Sequence, residues 1–247
     1  NDNGDVNPPE LEGFTILTPD VYPGAGNGRM GVEVSVSDFE SGVSSVRVDF
    51  ISASGIVVSA SATLADNPTQ ATLSLETQIL SEYLEQGVWT VYGLLLVDSA
   101  GNSVQLADQL YSKGYATTLH VTNPNSDTAA PVLESFSILT PQVYPISSDA
   151  RMEFSVTASD NAAGIEKFRI DMRGPSGQIL SAWASYSANY PLNATAQISS
   201  AVLSTQLEEG IWTVETVEVF DDAGNSQLLT TDEMGSLGYP AHVTVSY

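Results

Sequence analysis

The sequence predicts an all-β chain built of two tandem β-sandwich domains. Three observations predict it. The chain is written twice, apolar and polar residues alternate at period two, and helical spacing is confined to two short stretches.

The repeat comes first. Phe14-Thr15-Ile16-Leu17-Thr18-Pro19 returns as Phe136-Ser137-Ile138-Leu139-Thr140-Pro141, an offset of 122 (136 − 14). Val21-Tyr22-Pro23 returns as Val143-Tyr144-Pro145 at the same offset. Gly87-Val88-Trp89-Thr90-Val91 returns as Gly210-Ile211-Trp212-Thr213-Val214, one residue later (212 − 89 = 123). Asp98-Ser99-Ala100-Gly101-Asn102 meets Asp221-Asp222-Ala223-Gly224-Asn225. Between the copies, Asn123 to Pro131 is rich in Pro, Asn and Ser and has no apolar period, as a linker would be. The domains are therefore drawn as 1–123 and 124–247.

Each copy reads as strands. Val32, Val34 and Val36 alternate with Glu33, Ser35 and Ser37, the signature of a half-buried strand. Val43 to Phe50 begins the next, and Gly55, matched by Gly177, marks a hairpin. Ala71 to Leu75 and Ala194 to Ile198 alternate again. Trp89 to Val97 and Trp212 to Phe220 are long aromatic and β-branched runs, with each Trp expected to fill the gap between two sheets. Leu119 to Thr122 and Val243 to Tyr247 close the copies. Helical turns are expected only at Thr77 to Leu84 and Ser200 to Leu207. Seven or more short strands in about 115 residues fit an immunoglobulin-like sandwich.

Composition bounds the function. Among 247 residues, 30 are acidic and 7 basic, a net charge of −23. Nucleic acid and anionic membranes attract Lys/Arg clusters, so both are disfavoured as partners. With no cysteine, disulfides, thiol catalysis and Cys-ligated zinc are excluded. No apolar run is long enough to span a bilayer as a helix. The start at Asn1 points to a processed chain or a fragment, and the Ser-, Thr- and Asn-rich surface leans extracellular.

The Asp-x-x-x-Gly turn, the Gly-x-Trp-Thr-Val strand and the Asp-x-Ala-Gly-Asn turn together resemble bacterial immunoglobulin-like and cadherin-like repeats. Such repeats occur in large secreted adhesins and as accessory domains of secreted enzymes. The resemblance covers nearly the whole chain, twice. It implies an extracellular setting, neighbouring repeats or like subunits as partners and, in cadherin-like members, calcium at domain junctions. The cadherin linker run Asp-x-Asn-Asp is absent.

Acidic residues recur at matched places. They are Asp5 and Asp127 in the segment leading into each copy, Asp38 and Asp160 after an early strand, and Asp98 with Asn102 and Asp221 with Asn225 at the end of the Trp strand. In a sandwich with alternating strand directions these places share one end. Three converging carboxylates repel unless a cation neutralises them, and calcium takes 6–8 oxygens from such groups. Asn3, Asn125, Asp222 and Glu40 are further candidate ligands. The plainer alternative is that each Asp starts a turn by accepting from its own backbone. A calcium ion at the second cluster would sit in the linker and stiffen the domain pair.

No nucleophile elbow, zinc-protease motif or phosphate loop is present, so a non-enzymatic role is expected. His120 and His242 have no counterparts in the other copy and read as surface residues. A polysaccharide partner is the second functional reading, through Trp183 and Tyr190. Trp183 replaces Ser61 on the polar parity of its strand, so its ring is expected to face water. Tyr186 replaces Leu64 and is expected in the core. A subunit of an extracellular filament or surface layer is the third reading.

Overall fold

A computed structural model describes residues 4–25, 28–146 and 149–247. The chain divides into two compact units, Asn1–Ser126 and Asp127–Tyr247, each with its own apolar core. The first holds β1 (Glu10–Ile16), β2 (Asp20–Val21), β3 (Gly31–Ser37), β4 (Val43–Ile51), β5 (Val57–Thr63), β6 (Gln70–Glu76), β7 (Gly87–Asp98), β8 (Ser103–Gln105), α1 (Ala107–Ser112) and β9 (Thr118–Val121). The second repeats the series with β10 (Val132–Ile138), β11 (Gln142–Val143), β12 (Glu153–Ser159), β13 (Ile165–Arg173), β14 (Ile179–Ser185), β15 (Asn193–Ser199), β16 (Gly210–Asp221), β17 (Ser226–Thr230), α2 (Thr231–Ser236) and β18 (His242–Val245).

Each unit is a two-sheet sandwich. One sheet runs β1-β3-β6, and the other β2-β9-β7-β4-β5 with β8 also on β7. In the second unit the orders are β10-β12-β15 and β11-β18-β16-β13-β14, with β17 on β16. Pairing is antiparallel except for the short β2–β9 and β11–β18 ladders. This is the immunoglobulin-like arrangement the strand count predicts.

The alternation explains the sheets. Val32, Val34 and Val36 are buried while Glu33 is exposed. Trp89 and Trp212 have no exposed surface. Their indole N–H groups donate to the Glu85 and Glu208 carbonyls, at 3.0 Å each. Each ring thus spans the space between sheets with its polar atom satisfied. Tyr186 packs against the second core as expected, as Leu64 does in the first. His120 and His242 are exposed on β9 and β18.

The helices lie elsewhere than expected. Thr77 to Leu84 and Ser200 to Leu207 contain no helix. Leu80 and Leu84 are buried at helix-like spacing, but Leu80 N–H donates across to the Gly28 carbonyl, not back along its own segment. The helices, α1 and α2, instead interrupt the last strand of each unit. Buried Leu110 and Met234 anchor them in the two cores. The following Tyr115 and Tyr239 pack edge-on against Phe14 and Phe136. In α2, Thr230 and Glu233 form a capping box.

The chain changes sheets through a tight turn after β3 and after β12. Gly42 and Gly164 hold φ of +84° and +81° there, and a Cβ would meet the Asn67 and Tyr190 carbonyl oxygens at 1.9 and 2.3 Å. No side chain fits and the conformation favours glycine. Gly164→Ala is expected to cost at least ~2 kcal/mol in urea unfolding. Gly235→Ala, where a Cβ meets open space in α2, is expected to leave stability unchanged or slightly raised. Equal losses in the two variants would refute the turn's steric requirement.

Candidate metal centre

Strand direction brings the matched aspartates together. Because β1 and β3 are antiparallel with Glu10 opposite Ser37, the segment leading into β1 lies beside the residue after β3. Those positions carry Asp5 and Asp38. On the facing sheet Val43 pairs with Asp98, the last residue of β7. The 38–42 turn is also tied to that strand's end, because Ser99 N–H and Oγ donate to the Gly42 and Ser41 carbonyls at 2.9 and 2.7 Å. The second unit repeats this with Ile165 opposite Asp221.

The carboxylates converge in both units. Asp5, Asp38 and Asp98 each turn an oxygen to within 4.8 Å of the other two, and so do Asp127, Asp160 and Asp221. At that separation two charges repel by about 3 kcal/mol at an effective dielectric of about 20. Most of the six are buried: Asp38, Asp98, Asp127 and Asp221 are 7%, 2%, 4% and 0% exposed.

Turn chemistry operates at the same residues. Asp38 Oδ1 accepts from the Glu40, Ser41 and Gly42 N–H groups at 2.9–3.1 Å. Asp98 Oδ1 accepts from Gly101 and Asn102 N–H at 2.6 and 2.8 Å, with Gly101 at φ +97°. Asp160 Oδ2 accepts from Ala162 and Gly164 N–H at 3.0 and 2.7 Å. Asp127 accepts from Ala129 N–H at 2.9 Å and, across the cluster, from Ala163 N–H at 3.0 Å. These bonds aim the carboxylates without using every oxygen. In each cluster one buried carboxylate oxygen has no partner: Asp5 Oδ2 in the first and Asp160 Oδ1 in the second. The Ser41 hydroxyl beside Asp5 is also buried and misses hydrogen-bond geometry.

Asn102 and Asn225 brace the clusters. Asn102 Nδ2 donates to Asp98 Oδ2 at 2.7 Å and to the Asp5 and Asn7 carbonyls at 3.3 and 3.4 Å. Asn225 Nδ2 donates to Asp221 Oδ2 at 2.8 Å and the Asp127 carbonyl at 3.2 Å. Their amide nitrogens, rather than their oxygens, face the carboxylates. Glu40 is exposed and accepts from Asn7 Nδ2 at 3.1 Å. Asn125 is exposed in the first unit, its N–H donating to Asn123 Oδ1. Asn3 lies outside the described residues. Two contributors had no signal of their own in the sequence, the Ser41 hydroxyl and the Ala163 N–H.

The two clusters differ electrically. Asp5 is held below the usual carboxylate range, first by the Ser41 hydroxyl and then by Asn7 N–H, with burial opposing. Asp221 is pushed up to about 6 by burial, with the Asp160 and Asp127 charges adding and Asn225 opposing. Glu166 is also raised by burial, with Asp222 adding and Lys167 opposing.

Trp183 and Tyr190 are not brought together. Trp183 is 66% exposed on β14, opposite Arg169. Tyr190 is half-buried and its backbone packs on Gly164, five residues before Arg169 in the chain and roughly 16 Å along a strand. Burial raises its hydroxyl pKa, with Asp222 and Glu166 adding. Tyr190 therefore belongs to the cluster end of the unit.

No protein-family model matches the chain, and no curated protein matches it. Similar solved structures include a DUF4785 family protein from Legionella pneumophila subsp. pneumophila str. Philadelphia 1. It is 13% identical with a TM-score of 0.31, over 89% of this chain and 56% of that one. Another is a biofilm associated protein BSP domain, 14% identical with a TM-score of 0.22, over 94% of this chain and 29% of that one. This chain thus spans about half or less of each neighbour's length. Among the described residues, no helix is long and apolar enough to cross a membrane.

The raised Asp221 pKa fixes a pH dependence. The folded state holds this proton more tightly than an unfolded chain, whose Asp titrates near 3.8. Its contribution to stability is complete below about pH 4 and is lost as pH rises through about 6. The loss is on the order of 3 kcal/mol. Urea unfolding of metal-free protein is expected to show the second unit weakening from pH 4.5 to 7, and Asp221→Asn to flatten that slope. An unchanged slope in the variant would refute the assignment.

Proposed function

We propose that this chain is an extracellular, non-enzymatic structural or adhesive repeat segment whose two domains each hold a calcium ion at the converged aspartates. The observation that carries the reading is the convergence of three carboxylates in each of two equivalent clusters, with a buried, unpartnered Asp160 oxygen in the second. A bare carboxylate oxygen costs several kcal/mol in a buried setting. A hard cation removes both that cost and the mutual repulsion. The donors are carboxylates, with no imidazole or thiolate, which suits calcium and not zinc. The cadherin-like resemblance of the turns supports the same ion.

The mechanical role follows from where Asp127 falls. Asn123 is buried in the first unit, its Nδ2 donating to the Glu82 and Leu84 carbonyls at 2.9 and 2.7 Å. Asp127 is the first residue of the second. Asp127 is already tied by the Ala129 and Ala163 N–H groups, and an ion held there would reinforce the start of the second unit next to the segment joining the domains.

Extracellular calcium modules bind at about 10⁻⁴–10⁻³ M. At 5 mM, about a five- to fiftyfold excess, each site contributes roughly 1–2.3 kcal/mol. Thermal unfolding in 5 mM calcium is expected to show a midpoint several degrees above that in EDTA. Asp38→Asn should remove the gain of the first unit, and Asp160→Asn that of the second. Magnesium at 5 mM should give much less, since it resists losing its waters. Equal midpoints in calcium and EDTA, or an equal gain from magnesium, would sink the proposal.

A further inference from the structure

We infer that the first unit carries a binding cleft for an uncharged hexopyranose glycan, built from Tyr92, Tyr111 and Asp108. The cleft has a volume of about 370 Å³ and is lined by Ile51, Thr90, Tyr92, Asp108, Tyr111 and Thr117, with Val91 at its base. It lies where α1 interrupts the final strand and sits beside the outer face of β7. Tyr92 points outward from β7 and is 59% exposed, and Tyr111 on α1 is 82% exposed. Asp108 and Tyr111 are three residues apart on the helix, so they share one face.

The wall chemistry selects the ligand. Two tyrosine rings offer flat apolar faces with polar tips, and a pyranose offers a matching face of C–H groups with a hydroxyl rim. The Asp108 carboxylate accepts from sugar hydroxyls in charge-assisted bonds, and the Thr90 and Thr117 hydroxyls add donors and acceptors. Among the described residues no basic side chain lines the cleft, and the chain's net charge of −23 repels anionic glycans. The volume suits one or two sugar rings.

The second unit is a natural control. At the places of Ile51, Tyr92 and Tyr111 it has Arg173, Glu215 and Gly235. There Arg173 Nε donates to Glu215 Oε1 at 3.0 Å, and an ion pair replaces the aromatic wall. One ring that meets solvent in the second unit is Trp183, alone on its edge strand. The loss of both tyrosines in the second copy is not explained by packing, since both face water in the first.

The test is affinity electrophoresis of the full chain in native gels containing laminarin, mannan, xyloglucan or galactan. At least one neutral polysaccharide should retard it. Tyr111→Ala and Tyr92→Ala should each weaken retardation by about tenfold or more, and Asp108→Asn should weaken it as well. Trp183→Ala should leave it unchanged. All four residues are exposed, and unchanged thermal midpoints confirm that the variants fold. Absence of retardation in all four gels would overturn the inference, as would retardation that survives Tyr111→Ala. Saturable quenching of tyrosine fluorescence by choline, without retardation in any gel, would reassign the cleft to a cation and equally overturn it.

Discussion

The antiparallel pairing of β4 with β7, and of β13 with β16, is the constraint on which the rest of each domain depends. It sets Val43 opposite Asp98 and Ile165 opposite Asp221, so the end of the Trp strand lies beside the turn that changes sheets. That turn is passable only through Gly42 and Gly164. Once it is made, Asp38 and Asp160 have no freedom to point elsewhere, because successive backbone N–H groups hold one oxygen of each. The segment leading into the sandwich then delivers the third carboxylate. Burial of charge here results from the fold's connectivity.

Much of this was legible in the sequence. The two copies, the period-two valines and the Trp strands fix which residues face inward. Strand alternation fixes which strand ends coincide, so the convergence of Asp5, Asp38 and Asp98 follows from direction alone. What was not legible depends on backbone geometry in loops. Leu80 and Leu84 have helical spacing but lie in a segment bonded to Gly28. The six residues of α1 are too short for a 3.6-residue period to emerge. The capping box at Thr230 and Glu233 was a usable signal for α2, and by homology of the copies for α1. The Tyr92–Tyr111 cleft was hidden for the same reason, since it exists only where that helix sits beside β7. Turn chemistry at the aspartates is visible in their individual oxygens. One oxygen of Asp38, Asp98 and Asp160 makes the turn, while Asp160 retains another that is buried and unpartnered.

The copies diverge mainly at exposed positions and agree in their cores. Their cores are nearly interchangeable, with Phe14 matched by Phe136, Met30 by Met152 and Trp89 by Trp212, all buried. The two clusters differ in titration: burial and the Asp160 and Asp127 charges raise Asp221, whereas hydrogen bonds lower Asp5. Asp221 therefore holds a proton more readily, while in the first cluster Asp5 is held ionised. Tandem duplication has preserved the scaffold while letting the two ends titrate differently and the outer faces acquire different chemistry.

The interrupted last strand has a consequence for how such a chain folds. Two similar domains on one polypeptide risk exchanging equivalent strands, a characteristic failure of tandem repeats. A long uninterrupted final strand would be an efficient invader of the neighbouring copy. Here that strand is cut into β8 and β9, three and four residues long, separated by a helix whose Leu110 must dock into its own core. The edge that this strand offers to a neighbouring copy is accordingly short and interrupted.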